Sequence, residues 1–95
     1  MTGGQNEEQT MADRARDWFA QADKDLDMAR LARSSGSHDW ACFASQQSAE
    51  KAVKALHLHL GQEACAPFEH YGTIQSSEAI AHADQILAFV RAQMA

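Results

Sequence analysis

The sequence predicts an all-α, antiparallel helical bundle, and three observations predict it. Apolar residues recur at spacings of three and four in three separate stretches, which is the period of an amphipathic helix and not of a strand. Segments of Ser and Gly, or of Gly and Pro, separate those stretches and stop helices. The chain has 95 residues and a single proline, which suits one small domain.

The first helix is expected to begin at Thr10. In Thr10-Met-Ala-Asp13 the hydroxyl can accept the amide hydrogen of the third helical residue, an Asp variant of the capping box. Trp18, Ala22, Leu26 and Ala29, with Phe19 beside them, form its apolar stripe. Asp17, Asp23, Lys24, Asp25, Asp27 and Arg30 are expected mostly on the wet face. Ser34-Ser-Gly-Ser37 ends the helix, with Gly36 suited to a left-handed cap. So short a connection predicts an antiparallel neighbour.

The second helix is predicted from His38 to about Leu60, with Ser37 as its cap and Asp39 at the positive end of its dipole. Gly61 stops it. One line carries Cys42, Gln46, Ala49, Val53, Leu56 and Leu60. An adjoining line carries Trp40, Phe43, Ala44, Gln47, Lys51 and Lys54, and the two together predict a broad, partly polar packing face. Residues 62–75, with Pro67 and Gly72, form a connection. The last helix is expected to start at Ser76 or Ser77. Ala79, Ile80, Ala83, Leu87, Val90 and Met94 form its stripe, flanked by Ile86 and Phe89. Residues 1–9 are polar and glycine-bearing and read as a disordered leader, which leaves residues 10–95 as the helical domain.

Composition narrows the function classes. Thirteen acidic and eight basic residues leave a formal charge of −5, which argues against a broad nucleic-acid face and allows a small local one. Cys42 and Cys65 have no CxxC spacing and read as reduced thiols of a cytoplasmic protein. No apolar run approaches the ~20 residues of a membrane span, and no basic segment followed by an apolar one marks a signal peptide. His57 and His59 stand two apart, so on a helix they point roughly 200° apart and cannot share one ion. No metal or cofactor is expected.

Three blocks carry a family resemblance. The first is Arg16-Asp-Trp18 through Ala22-x-x-Asp25-Leu26-x-x-Ala29. The second and most specific is Trp40-Ala-Cys42-Phe43-x-x-Gln46-Gln47-x-Ala49-Glu50-Lys51-Ala52-x-Lys54-Ala55, followed by Leu60-Gly61. The third is Tyr71 through Ala79, Ala83, Ile86-Leu87 and Phe89-Val90. Together they resemble the HEPN domain, a small helical module linked to nucleotide binding, RNA cleavage and toxin–antitoxin pairs. The chain departs from the family between Gly61 and Tyr71, where another helix usually stands. That central helix is shortened or absent here, or a segment is missing from the chain. A bundle lacking one helix exposes an apolar face, which a second copy most simply covers.

The resemblance also suggests chemistry. Many catalytic members resemble metal-independent ribonucleases with an arginine, four to six residues, then a histidine, near the start of a late helix and usually paired across a dimer. Histidine supplies proton transfer near neutral pH, and arginine a fixed cation for the phosphorane. Arg33-Ser-Ser-Gly-Ser-His38 meets that spacing but lies in the first interhelical turn, where an exposed turn with Arg33 compensating the helix end is the plainer reading. His70 lies nearer the last helix, yet no arginine precedes it at the required distance, and a loop histidine is the plainer reading.

Gln47, Lys51 and Lys54 share a line at helical spacing and are the candidates for holding a nucleotide phosphate. The competing reading is a glutamine network and a Glu50–Lys54 pair worth roughly a few tenths of a kcal/mol. The resemblance implies a homodimeric nucleotide- or partner-binding module. Its expected partner is a small nucleotidyltransferase-type protein in a toxin–antitoxin-like two-component system. A ribonuclease toxin and a purely structural helical dimer are the alternatives.

Overall fold

A computed structural model describes residues 10–61 and 76–95. Over these residues the chain forms three helices and no strand: α1 (Met11–Ser34), α2 (His38–His59) and α3 (Ser76–Met94). The all-α bundle is therefore as expected. The leader, the shortened central helix, Cys65 and His70 lie outside the described residues.

Local chemistry sets the ends of α1. Thr10 is extended, at φ −76° and ψ 165°, and its hydroxyl oxygen accepts the Asp13 N–H at 3.0 Å. At the other end Gly36 has φ 85°, the left-handed conformation that costs a non-glycine residue about 1–2 kcal/mol. The Ser37 N–H donates to the Ala32 carbonyl at 2.8 Å and the Gly36 N–H to the Arg33 carbonyl at 3.0 Å, the paired bonds of a Schellman ending. That ending explains why Ser37 does not cap α2 with its side chain, as had been expected. Its N–H is committed to α1 and its backbone sits at φ −91° and ψ 75°, away from the usual extended cap geometry. Gly61, at φ 76°, closes α2 as expected.

Alanine supplies most of the buried apolar positions. On α1 these are Ala15, Ala22, Ala29 and Ala32, with Leu26; on α2 they are Ala41, Ala44, Ala49, Ala52 and Ala55, with Leu58. Ser45 and Ser48 complete the buried face of α2. Small residues on both sides let two helix backbones approach closely, toward the ~8 Å end of the usual range. Ser48 shows that approach directly, because its hydroxyl donates to the Ala22 carbonyl of α1 at 2.7 Å.

This corrects the predicted face of α2. Its contact centre runs along Ala41, Ala44, Ser45, Ser48, Ala52 and Ala55, and the two predicted lines become its flanks. Ala44 and Ala49 are buried, whereas Trp40, Phe43 and Leu60 are exposed. A hairpin already packed alanine against alanine has no room for large side chains at its centre, so they move outward.

The third helix covers one side of the hairpin. Ala83, Leu87 and Val90 join Ala22, Leu26, Ala49 and Ala52 in one cluster, with Phe19, Leu56, Ile80, Ile86 and Met94 packed around it. Two exposed ion pairs tie α3 to α1: Arg30 to Asp84 at 3.1 Å and Arg91 to Asp23 at 2.9 Å. Their order runs in opposite directions along the two helices, so α3 is antiparallel to α1. The His38–Ser76 contact joins the first residues of α2 and α3, so those two helices run parallel. Gly61 and Ser76 therefore lie at opposite ends of the bundle.

Candidate functional site

The flank of α2 that lies against α1, on the side away from α3, gathers three of the residues singled out in the sequence. Trp40, Phe43, Gln47, Lys51 and Lys54 follow one another at helical spacings of three and four, so they share one line. Trp40 and Phe43 stack with ring centroids 5.3 Å apart, and they are 56% and 49% exposed. Gln47 is half-buried.

Two residues of α1 engage the cations of this line. Lys51 Nζ lies 2.8 Å from Asp25 Oδ2, with each side chain only 25% exposed. That oxygen is buried and accepts no directed hydrogen bond, so the contact is one of charge against charge. Lys54 Nζ lies 4.2 Å from the centroid of the Trp18 ring, a cation–π contact. Lys54 thus sits over Trp18, and no ion pair joins it to Glu50 among the described residues. Asp25 is an exception to the expectation that its neighbouring charges lie mostly on the wet face. It stands with Trp18, Ala22 and Ala29 at spacings of four, three and four, and that stripe was the signal in the sequence that it faces α2.

The second candidate pair lies at the hairpin turn. Arg33 is exposed in the last turn of α1, where a cation complements the helix dipole. His38 opens α2, and its Nδ1 shares a 3.0 Å hydrogen bond with the Ser76 hydroxyl of α3. The turn thus brings Arg33 and His38 to one end of the bundle, while the α2 line runs along its side. That Ser76 contact, between residues 38 positions apart, left no local mark in the sequence. His57 is half-buried, and its Nδ1 has no hydrogen-bond partner among the described residues. No cluster of metal-ligating side chains occurs among the described residues, and no helix there is long and apolar enough to cross a membrane.

Solved structures resemble this fold over most of its length. An archaeal HEPN homologue, ST0689, is 28% identical, with a TM-score of 0.74 over 85% of this chain and 98% of that one. TT1696 from Thermus thermophilus is 29% identical, with a TM-score of 0.71 over 82% of this chain and 96% of that one. None of the curated proteins matches the chain by sequence. The family model for the HEPN domain matches residues 15–71, which takes in most of α1, the turn and the whole of α2 with its Trp40–Lys54 line. The chain belongs to the HEPN domain family.

Proposed function

We propose that this HEPN-domain chain is a homodimeric binding module for a nucleotide and a protein. Its expected protein partner is a small nucleotidyltransferase-type protein in a toxin–antitoxin-like two-component system. The observation that carries the reading is the α2 flank. It presents a stacked, half-exposed aromatic pair in line with Gln47, with Lys51 paired to Asp25 and with Lys54 over the Trp18 ring, on a helix packed against α1 through small residues. Such a line offers stacking surface at one end and positive charge for phosphate at the other. The nucleotidyltransferase partner comes from what membership of the family implies.

The test is thermal unfolding with and without millimolar ATP. A ligand that binds the folded state at ten times its Kd stabilises it by about 1.4 kcal/mol, and Lys54→Ala should remove most of that gain. An unchanged transition with every nucleotide tried sinks the nucleotide part of the reading. The ribonuclease alternative predicts RNA cleavage that disappears in Arg33→Ala or His38→Ala while the helical content stays intact. Its supporting observation is that Arg33 ends α1 and His38 opens α2, on either side of the hairpin turn.

A further inference from the structure

We propose that Arg14 of α1 completes the phosphate end of the nucleotide site, and that the ligand is a nucleoside polyphosphate rather than a monophosphate. This rests on the nucleotide reading and names a further residue and a ligand class for the same site.

The charges on the α2 flank call for a third cation. Lys51 is matched by Asp25 at 2.8 Å. Glu50 shares the outer face of α2, three residues from Gln47 and one turn before Lys54. It is half-buried, and no cation pairs with it among the described residues. Two lysines are thus opposed by two carboxylates, on a chain that carries −5. A phosphate brought to this flank meets no net positive charge from those four groups.

Arg14 supplies that charge. Arg14, Trp18 and Asp25 stand four and seven residues apart, close to whole helical turns, so they share one line of α1. Two contacts fix where that line faces: Asp25 meets Lys51, and Lys54 lies 4.2 Å from the Trp18 centroid. Arg14 is one turn from Trp18, at the ~5–6 Å between Cβ atoms of helical neighbours. One ring therefore has Lys54 over it from α2 and Arg14 beside it on α1.

The Arg14 side chain is also uncommitted. It is exposed, and its guanidinium makes no ion pair or hydrogen bond among the described residues. Arg16, Arg30 and Arg91 each pair with an aspartate. Helix stability does not explain its place either. The Arg14 N–H donates to the Thr10 carbonyl at 3.0 Å, so the residue lies in the first turn of α1, where a cation opposes the helix dipole.

Distance selects the ligand. Phe43 and Lys54 are eleven residues apart, about 17 Å of helix. A base stacked on the Trp40–Phe43 pair reaches Lys54 and Arg14 through a chain of phosphates, and a single phosphate falls short. Arginine suits that end, because its planar fork grips phosphate oxygens with two parallel N–H donors.

The test is calorimetric titration of the full chain with AMP, ADP and ATP at one ionic strength, beside thermal unfolding. Affinity should rise with each phosphate. Arg14→Gln should weaken ATP binding about tenfold, the worth of one charge-assisted hydrogen bond. It should leave AMP binding unchanged, and without nucleotide it should leave the Tm unchanged or slightly raised. Arg14→Lys should lie between. Lys24→Gln removes the same charge from an exposed position about 80° round α1 from Arg14, and ATP binding should keep its strength.

ATP affinity unchanged in Arg14→Gln, an equal loss in Lys24→Gln, or AMP binding as tightly as ATP overturns this assignment and leaves the nucleotide reading standing. No binding of any of the three to the wild-type chain overturns both.

Discussion

Replacing Ala52 with leucine should damage this fold far more than removing a large apolar residue from its surface. Ala52 is 0% exposed and belongs to the cluster in which all three helices meet. Leucine adds three carbon atoms where alanine faces alanine and where a serine side chain already reaches the neighbouring backbone at 2.7 Å. Extra methylene groups in a packed core cost about 1–3 kcal/mol, and a seam limited by backbone approach should sit near the top of that range. In a domain of this size each kcal/mol lowers the Tm by about 4–8 °C, so the expected loss is about 10–20 °C. Leu31→Ala is the contrast: that side chain is 60% exposed, and its removal should change stability by less than about 0.5 kcal/mol. Urea and thermal unfolding at one fixed protein concentration measure both, with an unchanged m-value as the check that two-state comparison holds. The reasoning is refuted if Ala52→Leu is as stable as wild type. It is equally refuted if Leu31→Ala costs the ~2–5 kcal/mol of a core leucine.

Two further outcomes follow from the geometry. Asp25→Ala leaves the quarter-exposed Lys51 ammonium without its counter-charge and should cost about 1 kcal/mol, and a double-mutant cycle with Lys51→Met should show coupling of similar size. Gly36→Ala should cost about 1 kcal/mol through the backbone alone, because φ is 85° and a Cβ there would meet nothing within 4 Å; Gly36→Asn should recover part of the loss in the same thermal assay.

What could be read from the sequence was mostly what is local. Thr10 and Gly36 act through bonds three to five residues away, so the start and end of α1 are visible in short strings. The stripe of α3 was visible too, because Leu87 and Val90 are large and buried. The packing face of α2 was not, since a reading weighted to large apolar residues passes over Ala41, Ser45, Ser48, Ala52 and Ala55. Their value lies in being small, which only a facing row of alanines on α1 makes apparent.

The candidate site divides in the same way. The Gln47–Lys51–Lys54 line is a matter of helical spacing and was legible. Its partners Asp25 and Trp18 depend on the register between two helices. The His38–Ser76 bond depends on where α3 docks, which no local pattern encodes.

The central claim is that this HEPN module works as a dimer that binds through the outer line of α2. The most direct test is native mass spectrometry of the purified chain at low micromolar concentration, with and without ATP. The account predicts a dimer in both conditions, retaining nucleotide when ATP is present and losing that adduct in Lys54→Ala. A monomer that carries no nucleotide at any concentration would contradict it.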